Sequence, residues 1–233
     1  MKDAMVGRRM PVLHMIKSLG RGGAEMLLVE TLKLHDRDQF DFHYIYFLPW
    51  KDQLVEGLSA EGGKVSCIAA NNNIQIMMRV WAVVRYVRTN KIRIIHAHLP
   101  WAGVLARLVG RITGTPVLYT EHNKQERYHF ATRLINLATM PLLTSVIAVS
   151  DDVCESIKLF KRNLSTPVVT IPNGVNTRHF RPFSDEAKND ARRDQSIAQD
   201  SVVIGTIAVF RSQKRLELWL EIASKIVAHR HNA

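Results

Sequence analysis

Short apolar runs rich in valine and isoleucine alternate along this chain with longer stretches of helical period. Runs around Leu13 and over 40–48, 64–69, 92–98, 116–120, 145–149 and 168–171 predict strands bounded by glycine, proline or polar clusters. The 3.6-residue spacing predicts helices over 52–61, 74–90, 102–113 and 130–140, with two more opening at the glycine cluster before Met26 and at Ser150-Asp151-Asp152. Over 74–90, Gln75, Arg79, Arg85 and Arg88 form a polar stripe and the rest is largely apolar, which predicts one continuous helix. Arg107 and Arg111 mark one side of the next helix, opposite Val104, Leu105, Leu108 and Val109, and Arg133, Asn136 and Thr139 mark one side of the helix after it. Strands alternating with helices imply right-handed crossovers, hence an α/β fold built on a doubly wound parallel sheet covered on both faces.

In such sheets ligands gather at the carboxyl ends of the strands. The predicted strand ends put Gly22, Gly23, His98, Glu121, His122, Ser150 and Asn173 on one rim, with Asn123 one step into the loop. Gly20-x-Gly22-Gly23-x-Glu25 is a tight turn into a helix, and the unpaired N–H groups there suit an anion such as phosphate, although Glu25 stands where a dinucleotide fingerprint has its third glycine. His96 and His98, two apart on one strand, share a face. They could hold a metal with Glu121, His122 and Asp151. The favoured reading is metal-free: His96 packs under the rim and His98 reaches a substrate. His122, between Glu121 and Asn123 where a strand opens into a loop, is the candidate for contact with the reacting group, since imidazole donates or accepts near neutral pH.

The 233 residues carry a formal net charge of +11, which favours anionic partners. The basic residues are scattered along helix faces without aromatic interleaving, so nucleic acid is not expected; docking on an anionic membrane surface is compatible with them. Cys67 and Cys154 fit no metal or redox spacing and read as free thiols in a reducing cytoplasm. No apolar signal core follows the basic start, and the run 135–149 is shorter than the ~20 residues of a spanning helix and contains Pro141. Residues 182–201 are polar and read as a linker between a domain over 1–181 and a further strand (202–209) and helix (216–229). Between those two, Arg211 and Lys214 open a turn in a way suited to a diphosphate, each charge-assisted hydrogen bond contributing roughly 1.5–3 kcal/mol.

Six segments, taken in order, resemble glycosyltransferase family 4, the retaining nucleotide-sugar transferases with two facing Rossmann-like domains in the GT-B arrangement. They are Gly20-Arg21-Gly22-Gly23-Ala24-Glu25, Ile95-His96-Ala97-His98-Leu99, Tyr119-Thr120-Glu121-His122-Asn123, Ala148-Val149-Ser150, Ile171-Pro172-Asn173-Gly174-Val175-Asn176 and Val209-Phe210-Arg211-Ser212-Gln213-Lys214-Arg215. The resemblance implies an acceptor-side Rossmann-like domain over 1–181 and the first βα unit of a donor-binding domain over 202–233. It implies that Gly22 and Gly23 face the diphosphate of a nucleotide-diphosphate sugar, that His122 sits beside the transferred sugar, and that Arg211 and Lys214 neutralise the leaving group without a metal or other cofactor. The implied acceptor is a hydroxyl of a glycan or lipid-linked glycan in polysaccharide or glycolipid synthesis in the cytoplasm, and the basic helices are compatible with a peripheral place at the inner face of the membrane.

The family also implies a donor-gripping glutamate pair with seven residues between, and none follows Lys214. On this reading the chain is a truncated enzyme, inactive alone, with Val202, Ile204, Leu218 and Ile222 short of partners. Three other readings compete. A non-catalytic acceptor-binding module would share the same rim. A metal-dependent hydrolase would use His96, His98 and His122. A dinucleotide oxidoreductase would need an acidic residue ending the second strand, where the sequence has Phe47-Leu48-Pro49-Trp50.

Overall fold

The computed structural model describes residues 9–210 and 212–229. They fall into two compact units divided between Val175 and Asn176. The amino-terminal unit holds strands β1 (Met10–Met15), β2 (Phe40–Tyr46), β3 (Lys64–Cys67), β4 (Ile94–His98), β5 (Val117–Glu121), β6 (Ser145–Ala148) and β7 (Val168–Thr170). They form one sheet in the order β3-β2-β1-β4-β5-β6-β7, and every neighbouring pair is parallel. Its helices are α1 (Gly23–Leu32), α2 (Val55–Ala60), α3 (Asn73–Met78), α4 (Val80–Thr89), α5 (Pro100–Thr113), α6 (Phe130–Thr139) and α7 (Asp151–Phe160). This is the Rossmann-like α/β arrangement expected.

The two faces of the sheet are covered unequally. On one, Leu13, Met15, Ile95, Ala97, Val117, Tyr119, Val146 and Ala148 pack with Ile76, Val83, Val84, Leu105, Val109, Leu137 and Ile157 from α3 to α7 in the larger core. On the other, Val12, Ile16, Tyr44 and Tyr46 pack under Leu28, Val29 and Leu32 of α1 and Leu58 of α2. There the cover lies over β1, β2 and β3. Across β4 to β7 the same face leaves Ile94, Leu118, Ile147 and Val149 half-buried and Ile171 exposed, a departure from the two fully covered faces expected.

The helix expected over 74–90 is two helices meeting at Arg79. Its backbone (φ −80°, ψ 6°) leaves the helical region while its N–H bonds Ile76 O, and its Nε donates to Ala69 O at 2.8 Å. Helix α7 opens at the expected place, capped by Ser150, whose Oγ accepts the Val153 N–H at 3.3 Å, with Asp151 and Asp152 in its first turn. Entry into α5 passes through Leu99 at φ 66°, ψ 152°, a left-handed conformation costly for a branched side chain; the following Pro100 excludes a helical residue there. The turn that delivers His98 to the rim is therefore strained.

Close approach of α5 to the sheet depends on two glycines. A Cβ on Gly103 would stand 2.6 Å from Tyr119 Cε2, and one on Gly110 would meet Val117 Cγ2 and stand 2.8 Å from Thr115 O. Gly110→Ala is expected to lower stability by about 1–3 kcal/mol in urea denaturation, because a backbone oxygen cannot swing away. Gly23→Ala, with nothing within 4 Å of the added carbon, is expected to leave the same measurement unchanged.

The carboxyl-terminal unit contains α8 (Asp185–Asp194) and α9 (Leu216–His229). The stretch read as a linker is thus partly helical: Ser184 Oγ accepts the Ala187 N–H at 3.2 Å, and Lys188 pairs with Asp185 at 3.0 Å. The strand expected over 202–209 is not formed. Its residues lack regular structure, and Val202, Val203, Ile204, Ile207 and Val209 are exposed. A strand exists by pairing, and among the described residues no ladder partner adjoins it. Along α9, Leu218, Leu220, Ile222, Ile226 and Val227 are also exposed.

Candidate active site

Parallel pairing sets the strands' carboxyl ends on one rim, and period-two alternation decides which side chains share a face. His14 of β1 is registered with His96 of β4, and His98 with Thr120 of β5. Thr120 and His122 then fall on the same face as His96 and His98. Four imidazoles meet there. His14 Nδ1 lies 3.2 Å from His98 Nε2, His98 Nδ1 lies 3.3 Å from His122 Nε2, and His96 Nε2 lies 2.7 Å from Thr120 Oγ1. The rings of His96 and His98 are 4.3 Å apart, centre to centre.

These histidines form the floor of a groove of about 480 Å³ along the thinly covered face. Its walls are Leu27, Ile94, Leu118, Ile147 and Ile171, and Pro172, Asn173 and Gly174 close its rim end. Burial pushes His96 and His122 down to about 4 and holds His14 and His98 well below the usual histidine range, with mutual repulsion adding to the shift at His14, His96 and His98. The cluster is neutral at pH 7, so each ring has one N–H to donate and one lone pair to accept.

Several expected site residues take other positions. His98, expected to reach a substrate, is the deeper of its pair at 5% exposure, while His96, expected under the rim, is half-buried. His122 is half-buried at the rim, where it was expected. Asn123 follows it, with its N–H on Glu121 Oε1 at 3.3 Å and its Nδ2 on Tyr128 Oη at 3.4 Å. Ser150 uses its oxygen to cap α7.

Glu121, expected to bind substrate, faces the opposite core and is fully buried. Its two oxygens accept from Tyr119 Oη (3.1 Å), Gln125 Nε2 (2.7 Å), Asn136 Nδ2 (3.0 Å), the Asn123 N–H and the Tyr128 hydroxyl. Burial pushes its carboxyl up, and these donors pull the other way. Beyond Asn136 lies Arg107, also fully buried, whose Nη1 donates to Asn136 O (3.0 Å) and Thr139 Oγ1 (2.7 Å) and whose Nη2 donates to Asn136 Oδ1 (3.0 Å). The guanidinium stands 4.5 Å over the Tyr119 ring. Glu121 therefore anchors the loop that carries His122 and Asn123.

Gly22 is the N-cap of α1 and the open Gly23 begins it, but Glu25 folds back over Gly22, where an added Cβ would run into the carboxylate. Ser18 Oγ donates to Glu25 Oε1 at 3.3 Å. A carboxylate thus stands beside the helix N-terminus proposed for phosphate. Lys214 is exposed in a short turn, Ser212–Lys214, of the carboxyl-terminal unit, and Arg211 lies outside the described residues.

The family model for Glycosyltransferase Family 4 matches residues 21–179, more than half the chain, so this protein belongs to glycosyltransferase family 4. EpsF of Bacillus subtilis (strain 168), which carries the name of a glycosyltransferase, is 23% identical over 225 residues, covering 92% of this chain and 58% of its own. The crystal structure of Anabaena Alr3699/HepE with UDP superimposes with a TM-score of 0.71 at 19% identity, over 87% of this chain and 54% of that one. The same protein with UDP-glucose gives 0.66 at 19% identity, over 82% and 51%. The chain thus spans little more than half the length of these relatives. The two crystal structures share the Rossmann-like α/β fold of this chain. Among the described residues no helix is long and apolar enough to cross a membrane.

Proposed function

We propose that this chain supplies the acceptor-side half of a retaining glycosyltransferase that moves a sugar from a nucleotide-diphosphate donor to a hydroxyl of a glycan or lipid-linked glycan. The observation that carries the reading is the half-buried His122 at the sheet rim, neutral because burial lowers it to about 4, on a loop fixed by Glu121. A neutral imidazole there can hydrogen-bond a sugar hydroxyl whose charge environment changes as an oxocarbenium-like centre forms. Gly23 stands open at the start of α1, and a diphosphate approaching it displaces the Glu25 carboxylate from over Gly22. Lys214 and Arg211 supply the charge that the leaving diphosphate needs; the acceptor hydroxyl attacks the anomeric carbon on the face the diphosphate leaves, the bond from that carbon to the phosphate oxygen breaks, and the hydroxyl proton passes to the departing phosphate oxygen. HepE was crystallised with UDP and with UDP-glucose, which makes uridine diphosphate sugars the first donors to try. In this proposal most of the grip on the donor comes from sequence matching the relatives' other half, and this chain alone turns over no sugar.

The test is a donor and acceptor screen on the gene product containing this chain, with product anomers assigned by NMR. Retention of configuration is expected, and His122→Ala is expected to lower kcat about 10²–10³-fold with a smaller change in donor KM. Inversion, or an unchanged rate in that variant, would overturn the reading. On residues 1–233 alone, calorimetry is expected to show no low-micromolar affinity for UDP-glucose.

A further inference from the structure

We propose that His14, His96 and His98 form a binding site for a divalent transition-metal ion of the zinc type, with one ring nitrogen from each and a fourth position open to the groove. One ligand atom from each of the three lies within 4.8 Å of the other two. Tetrahedral zinc with Zn–N bonds of about 2.0–2.1 Å holds its nitrogens roughly 3.3–3.4 Å apart. The 3.2 Å between His14 Nδ1 and His98 Nε2 is close to that spacing. The backbone already sets the triad: His14 and His96 are register partners on adjacent parallel strands, and His98 is two residues beyond His96 on the same face.

The surroundings fit a metal as well as the ligands do. His98 Nδ1 meets His122 Nε2 at 3.3 Å, the outer hydrogen bond that fixes which nitrogen of a metal-binding imidazole is free. His96 is likewise held by Thr120 Oγ1 at 2.7 Å. All three line the groove, so an ion and a fourth ligand have a route in. Two further polar atoms beside the cluster, His35 Nδ1 and Tyr44 Oη, are buried without a hydrogen-bond partner among the described residues. Both rings stack on His14, at 6.2 and 5.1 Å between centres, so two unsatisfied polar groups lie on rings beside it. The metal-free reading of the sequence weighed His96 and His98 without His14. The site would exist whether or not the chain transfers sugar, so this inference and the proposed function fail separately.

Untagged full chain, stripped with EDTA and returned to chelator-free buffer, is titrated with ZnCl₂ by calorimetry, and the retained metal is counted after gel filtration. One retained zinc per chain is expected, weakened at least 100-fold in His14→Ala and in His96→Ala, and about 10–100-fold in His122→Ala, which removes the outer partner. No retained zinc, or zinc undisturbed by the first two substitutions and therefore held by other imidazoles, would overturn the proposal. Should those variants not fold, X-ray absorption on the zinc-loaded wild-type chain decides: three imidazole ligands support the site, and fewer overturn it.

Discussion

Replacing Arg107 by methionine is expected to cost about 3–5 kcal/mol of folding stability, the range for removing one partner of a buried charge pair. Arg107 and Glu121 are both fully buried and are joined through Asn136, which accepts from the guanidinium and donates to the carboxylate. Without the cation, Glu121 is left as an uncompensated buried charge among groups oriented only to donate to it. Glu121→Leu alone is expected to cost a similar amount, since Tyr119, Gln125, Tyr128 and Asn136 would all lose an acceptor at once. The double variant is expected to cost clearly less than the two added together, because neither charge then remains. Equilibrium urea unfolding of the four proteins measures this coupling, and strict additivity would show that the two groups do not compensate each other. A second readout is independent of global stability: hydrogen exchange over 122–129 should quicken in the Glu121 variant, because the Asn123 N–H and the Tyr128 hydroxyl are held by that carboxylate.

This network shows where the sequence could be read and where it could not. The strands were legible because a parallel sheet carries apolar side chains on both faces, which leaves continuous runs such as Ile94-Ile95 and Val146-Ile147-Ala148 even where one face is only thinly covered. The helices were legible from their apolar period, but that period left the partners of their polar sides open. Arg107 on α5 and Asn136 and Thr139 on α6 each marked one side of a helix; in the fold they face each other and bond. Periodicity reports which residues share a side, never what that side meets. Glu121 was grouped with His122 because they are adjacent, yet one step along a strand reverses the face, and Glu121 belongs with Tyr119. The same alternation applied to Val12, His14 and Ile16 would have set His14 beside His96. The break at Arg79 and the unpaired 202–209 were illegible for a different reason: each depends on what lies next to it in space.

The acid sensitivity of the histidine cluster follows from its burial. Free histidine titrates near 6.5, whereas His96 and His122 are lowered to about 4 and His14 and His98 lie well below the ordinary value. Because the folded state binds these protons more weakly than the unfolded state, the stabilisation is fully present above pH 6.5 and is lost as pH falls toward 4. At about 1.4 kcal/mol per unit, His96 and His122 each contribute up to roughly 3 kcal/mol over that window. Domains of this kind have about 5–15 kcal/mol in total, so the cluster alone brings the fold close to its limit. Glu121 works in the opposite direction, since a carboxyl raised by burial takes up its proton more readily when folded and offsets part of the loss. With EDTA present to keep metal off the imidazoles, the free energy of unfolding measured by urea at successive pH values should decline between 6.5 and 4, with net proton uptake on unfolding. A level profile across that interval would mean that the imidazoles are hydrated and charged in the folded chain, contrary to the packed arrangement of His14, His96 and His98.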